Sequence, residues 1–151
     1  NTERIIKAFE HTSAGKDFKI VCVGHPKYMK ISESRNIRIL GKVETEDLVG
    51  LYSGAKALIY PSLYEGFGLP ILEAFACECP VLTSNISSMA EVAGEAAVLV
   101  DPYKIDSISD GIEKIIKGPK NYIEKGLKRI KDFSWEETAR MTLDVYGEAR
   151  K

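Results

Sequence analysis

Short apolar runs alternate along this chain with stretches in which apolar residues recur every three or four positions. The near-continuous runs "FKIVCVG" (Phe18 to Gly24), "NIRILGKV", "ALIYPS", "PVLTSN" and "AAVLVD" read as strands, each bounded by Gly, Pro, Asn or Asp. Between them, "TERIIKAFEHT" carries Ile5, Ile6 and Phe9 at helical spacing, "ETEDLVGLYSGA" reads as a helix with Thr45 as its cap, and "SSMAEVA" as a short helix. Amphipathic helices follow from about Ile105 through Arg150, interrupted near Gly118 and Pro119. Strands apolar on both faces and joined by helices form an α/β, Rossmann-like, doubly wound parallel sheet with helices on both faces.

Such a domain opens with a strand, whereas this chain opens with a helix at Thr2 or Glu3. In the order 3-2-1-4-5-6 the first strand lies inside the sheet, so its absence predicts a gap between the strand at Phe18 and the strand at Ala57. The expectation is one domain over residues 1–151 that lacks its first strand, in a truncated chain.

Composition narrows the partners. Lys plus Arg number 21 and Asp plus Glu 22, so the net charge of −1 marks the chain neither for nucleic acid nor for an anionic membrane. No apolar run approaches the roughly 20 residues of a bilayer span, and no signal peptide opens the sequence, which reads as soluble and cytoplasmic. Cys22, Cys77 and Cys79 are an odd number in a chain large enough to bury a core, and reduced thiols are expected.

The candidate chemistry lies in "YEGFGLPILEAFAC", Tyr64 to Cys77, where a strand gives way to a helix. Ligands of open parallel sheets bind beyond the carboxyl ends of the strands. Gly66 and Gly68 let the backbone approach a ligand closely, Pro70 suits a first helical turn, and free amides around Gly68 and Leu69 would face an anion such as phosphate. Glu65 and Glu73 can flank the same pocket, and carboxylates suit the paired hydroxyls of a ribose or hexose. On spacing alone, a solvated Glu65 and a Glu73 that merely meets the helix dipole fit equally well.

The segment "PSLYEGFGLPILEAFACECPVLTSNISSMAEVAGEAAVLVDP" resembles the donor-binding half of retaining GT-B glycosyltransferases, glycosyltransferase family 4 (group 1), whose signature of Glu, seven residues and Glu stands here as "EGFGLPILE". "LVGLYSGA", "NIRILGKV" and the terminal "DP" follow the family's order. The resemblance implies that Glu73 holds the donor ribose, that Glu65 is the catalytic-site carboxylate beside the transferred sugar, and that amides from Gly66, Phe67, Gly68 and Leu69 meet sugar hydroxyls and the diphosphate. Val43 would meet the base through its backbone. It further implies a nucleotide-sugar donor, no metal and no other cofactor, an acceptor sugar or lipid held by an absent amino-terminal domain, and a place in the cytoplasm or at the inner face of a membrane.

The sequence departs from the family at the amino end, where an Arg-Lys pair would precede Asn1. Losing each such charge-assisted contact costs about 1.5–3 kcal/mol. Glu78 stands where a helix-ending Gly is usual and Ala90 where Pro is usual. In a left-handed conformation Glu78 would be strained by about 1–2 kcal/mol. The residue types allow further readings: Cys77 and Cys79 as small packing residues rather than a metal site, His25 as a loop residue or a lining of the ligand edge, and His11 as a surface residue. The lysines of "EKIIKGPKNYIEKGLKRIKDF" form either a solvated helix face or a membrane-facing patch, and Trp135 is expected to anchor packing beside a helix capped by Ser134. A related nucleotide-sugar epimerase and a non-catalytic nucleotide-binding or interaction module are the alternative functions.

Overall fold

The computed structural model describes residues 1–24 and 31–150, and His25 lies outside them. In chain order the elements are α1 (Thr2–Glu10), α2 (Ala14–Asp17), β1 (Ile20–Val23), β2 (Ile37–Gly41), α3 (Thr45–Gly54), β3 (Leu58–Tyr60), α4 (Leu69–Ala76), β4 (Val81–Ser84), α5 (Ser87–Ala93), β5 (Val98–Val100), α6 (Ile105–Lys117), α7 (Pro119–Arg129) and α8 (Trp135–Ala149). Helix α2, absent from the sequence reading, is only four residues long and too short to show a period.

All strand pairs among these elements are parallel. β1 pairs with β2, and β3, β4 and β5 pair in that order, but no ladder joins β1 to β3 among the described residues. The sheet is thus in two parts, and the break falls where the sequence predicted a gap.

Successive residues of the strands point to opposite faces, and both faces are covered. Leu58, Tyr60 and Val81 pack with Ile71 and Phe75 of α4 and Met89 and Val92 of α5. Ile59, Leu82, Val98 and Val100 pack with Phe9 of α1 and Ile108, Ile112 and Ile115 of α6. Adjacent Val81 and Leu82 both have no exposed surface, which is why this strand reads as an unbroken apolar run. Phe18 and Ile20 join the second cluster, so the β1 end of the chain shares a core with the β3-β4-β5 sheet. Helix α6 lies close on the sheet: a Cβ added at Gly111 would stand 2.5 Å from Val100 Cγ1 and 2.7 Å from Leu82 Cδ1.

Helix α4 ends in a Schellman motif. The Cys79 amide donates to the Ala74 carbonyl at 2.9 Å and the Glu78 amide to that of Phe75 at 3.2 Å. This geometry needs a left-handed residue between them, and Glu78 supplies it at φ +57°.

Two local expectations are corrected. Thr45 is the first residue of α3 rather than its cap, because Glu44 is the extended residue whose carbonyl receives the Leu48 amide at 3.0 Å. Ser134 does cap α8, accepting the Glu137 amide at 3.3 Å, but Trp135 is 76% exposed and anchors no packing. Helix α8 buries none of its residues, so the aromatic has no surface to pack on. Among the described residues no helix is long and apolar enough to cross a membrane.

Replacing Glu78 by Gly is expected to raise stability by about 1 kcal/mol, because the left-handed strain disappears while both motif hydrogen bonds remain. Gly111→Ala is expected to lower it by about 1–3 kcal/mol through overpacking. Denaturant unfolding of the two variants against the parent chain measures both shifts.

Candidate functional site

Because β3, β4 and β5 are parallel, their carboxyl ends share one edge, and there the chain leaves β3 through Pro61 to Gly68. Two hydroxyls of β4 with no exposed surface fix the start of that exit. Thr83 Oγ1 donates to the Tyr60 carbonyl at 2.9 Å, and Ser84 Oγ donates to the Ser62 carbonyl. The Ser62 carbonyl lies beyond the last pair of the ladder, whereas the Tyr60 carbonyl, still in the ladder, also accepts the Ser62 amide at 2.9 Å.

Glu65 sits within this exit. Its Oε1 accepts from the Tyr60 phenol at 2.6 Å and from Ser62 Oγ at 2.9 Å. Its carbonyl accepts from Ser88 Oγ at 3.0 Å. Ser87, just before Ser88, has φ +58°, a left-handed start to α5. The loop is therefore held through side chain and backbone by residues of β3 and α5.

Gly68 makes the turn into α4. It has φ +104° and is buried, and an added Cβ would lie 3.3 Å from Ile71 Cδ1. Pro70 occupies the first turn, where its missing amide costs nothing. Among the described residues, the amides of Gly66, Phe67, Gly68 and Leu69 donate to no backbone carbonyl. They lie at the positive end of the α4 dipole, the local arrangement that favours an anion.

Glu73 stands on the first turns of α4 and is exposed. Tyr52 of α3 reaches across and donates to its Oε2 at 3.0 Å. Burial, followed by the charge of Glu73, raises the Tyr52 phenol well above its ordinary range. Burial, followed by the hydrogen bond to Glu65, pushes Tyr60 up to about 12. The charge of Glu73 acts on Tyr60 too, so both carboxylates bear on one region. Tyr52 and Tyr60 pack against the α4 and α5 core cluster.

The loop rim is apolar: Tyr64 is 83% exposed, and Leu63, Phe67 and Leu69 are partly exposed. Phe67 meets Phe133 edge to face at 6.0 Å, and the Arg129 guanidinium lies 4.9 Å over Phe133. Val43 is half-buried in the β2–α3 connection, and no described side-chain hydrogen bond reaches it. An open cleft of about 460 Å³ borders the loop at Leu63 and is otherwise lined by α1 residues, among them Arg4 and Lys7, and by Ile105. Asn1 Nδ2 ties the start of α1 to the same edge, donating to the Pro61 and Pro102 carbonyls at 2.8 and 2.9 Å.

The sequence reading singled out both glutamates and the glycine loop but missed the groups that hold them. Tyr52, Tyr60, Ser62 and Ser88 carried no signal beyond their polar caps on otherwise apolar or short segments. Cys22 and Cys79 are buried, Cys77 is partly so, and all three are free thiols. Burial pushes the Cys79 thiol up to about 11, in keeping with a packing role. Among the described residues no three His, Cys, Asp or Glu side chains gather as metal ligands would.

The chain is similar to known proteins in sequence and in fold. The family described as glycosyl transferases group 1 matches residues 1–131. O-antigen chain mannosyltransferase B of Escherichia coli is 44% identical over 113 residues, covering 73% of this chain and 30% of that protein. The serotype-specific mannosyltransferase WbdA of Escherichia coli is 33% identical over 137 residues, covering 85% of this chain and 17% of that protein. This chain thus spans under a third of either relative's length. Among solved structures, a sucrose-phosphate synthase from Thermosynechococcus elongatus superposes with a TM-score of 0.81 over 97% of this chain and 41% of its own, at 23% identity. At that identity the likeness is one of fold, and it agrees with the doubly wound α/β reading.

Gly68→Ala is expected to cost about 1–3 kcal/mol of stability, since alanine at φ +104° is strained and crowds Ile71. Gly66→Ala is expected to leave stability within about 0.5 kcal/mol, because Gly66 lacks a positive φ and nothing lies within 4 Å of the added Cβ. Thermal unfolding separates the two.

Proposed function

The chain belongs to the glycosyl transferases group 1, and on that premise we propose that it is the donor-binding domain of a retaining hexosyltransferase, moving a hexose from a nucleoside diphosphate sugar to a hydroxyl acceptor. One observation carries the reading: two oriented carboxylates, Glu65 and Glu73, flank a run of amides that have no backbone partner among the described residues, at a helix N-terminus on the carboxyl edge of a parallel sheet. A nucleoside diphosphate sugar has hydroxyls at both ends and an anion between them, which is the complement of that sequence of groups.

In this assignment Glu73 accepts from the ribose hydroxyls and Glu65 from the transferred sugar. The amides from Gly66 through Leu69 meet the diphosphate, and the Val43 backbone meets the base. The leaving diphosphate is stabilised by amides and cations, with no metal, and its departing oxygen helps to deprotonate the incoming hydroxyl on the same face. The names of both curated relatives support mannose as the hexose. Because the chain spans so little of those relatives, we place the acceptor site outside these 151 residues and expect no turnover from the chain alone.

Calorimetric titration with UDP, GDP and ADP sugars, in mannose and glucose forms, tests the proposal. Binding of one nucleotide's mannose form is expected. Glu73→Gln is expected to weaken it about ten- to a hundredfold, the loss of one charge-assisted contact, while Cys77→Ala leaves it unchanged. Equal affinities in those two variants would remove the ribose assignment, and no binding by the parent chain would remove the donor reading.

A further inference from the structure

The geometry points to Tyr60 and Tyr52 as positioning residues that each occupy one oxygen of a ligand-facing glutamate, Tyr60 for Glu65 and Tyr52 for Glu73, and so fix which oxygen is offered to the ligand. The assignment rests on the donor reading above and deepens it.

A carboxylate has two oxygens and about four acceptor positions, and on a flexible glutamate all of them wander. Here the ambiguity is removed twice. On Glu65, Oε1 takes both the Tyr60 phenol at 2.6 Å and the Ser62 hydroxyl at 2.9 Å, which leaves Oε2 to be presented. The Tyr60 contact is in the short range typical of a hydroxyl donating to an ionised carboxylate. On Glu73 it is Oε2 that is occupied, by Tyr52 at 3.0 Å, and Oε1 that is presented.

Tyrosine suits this task because its ring turns about two bonds only and its body can be locked by packing. Both rings pack against the cluster containing Ile71 and Phe75, on the same α4 whose N-terminus supplies the amides. The tyrosines therefore tie carboxylates and amides to one rigid body. Both phenols remain protonated donors at neutral pH, since burial and the adjacent carboxylates raise them.

The two arrangements differ in redundancy. Glu65 has two side-chain donors on its carboxylate and two more, Ser88 and the longer Ser87 contact, on its carbonyl. Glu73 is exposed, and among the described residues its carboxylate accepts from Tyr52 alone. Loss of Tyr52 should therefore free its glutamate fully, whereas Ser62 should hold Glu65 partly in place when Tyr60 is lost.

Removing each phenol oxygen tests this, with a nucleoside diphosphate and its sugar-bearing form titrated in parallel. Tyr52→Phe is expected to weaken both ligands by the same factor, about five- to tenfold, because both carry the ribose. Tyr60→Phe is expected to weaken the sugar-bearing form by about threefold while the bare diphosphate binds as before, and adding Ser62→Ala should bring the loss to that of Glu65→Gln. A purely structural role for Tyr60 would lower both ligands together, and that result would overturn the assignment. Unchanged affinities in the tyrosine variants, alongside clear losses in Glu65→Gln and Glu73→Gln, would overturn it and leave the donor reading standing. No binding by the parent chain would overturn the donor reading itself, and this assignment with it. Should Tyr60→Phe fail to fold, Ser62→Ala alone probes the same oxygen and is expected to show the same ligand selectivity.

Discussion

Parallel pairing obliges β3, β4 and β5 to run the same way, so the chain must return across a face of the sheet between each strand and the next. The returning helices α4 and α5 cover one face, α1 and α6 cover the other, and the exits of these three strands fall on one edge. The placement of Glu65, of the α4 amides and of Ser88 follows from that directionality: they belong to consecutive exits from neighbouring strands. The β4 hydroxyls at Thr83 and Ser84 then fix the first of those exits to the strand beside it.

The site itself joins rigid and exposed parts. Glu65, half-buried, and Glu73, exposed, are the carboxylates of the proposed site, and much of what holds them is buried. Thr83 and Ser84 are fully enclosed, and Tyr52 and Tyr60 are partly so. Enclosed hydroxyls are tolerated because each has an acceptor; no described buried side-chain polar atom lacks a hydrogen-bond partner. The Phe67, Phe133 and Arg129 stack extends the support to the far end of α7, where Arg129 also donates to the Glu91 and Val92 carbonyls of α5.

Much of this was legible in the sequence because it is local. Strands buried on both faces appear as apolar runs, and Val81 with Leu82 shows why. Gly66, Gly68 and Pro70 marked the loop that leads into a helix, and the comparison with the family's usual Gly raised left-handed strain at Glu78, which the structure contains. The break in the sheet followed from the order of elements alone. The glutamates' partners were not legible, because Tyr52 and Glu73 are 21 positions apart and meet only once α3 packs beside α4. Tyr60 carried the apolar signature of a strand, which hid the role of its hydroxyl. Trp135 failed for the opposite reason: residue type suggested burial, but burial requires a neighbouring surface, and α8 has none among the described residues.

The divided sheet also bears on how the molecule opens. Among the described residues the β1 and β2 pair shares no backbone ladder with β3, β4 and β5, and β1 and β3 each keep one flank unladdered. It is joined to the larger sheet's core through Phe18 and Ile20, and Asn36 Nδ2 ties the start of β2 to the Gly15 carbonyl. Without a continuous ladder, little compels the two parts to unfold together. Amide protons of β1 and β2 should therefore exchange with solvent through a lower-energy local opening, while those of β4, paired on both sides and enclosed on both faces, exchange only when the whole domain unfolds.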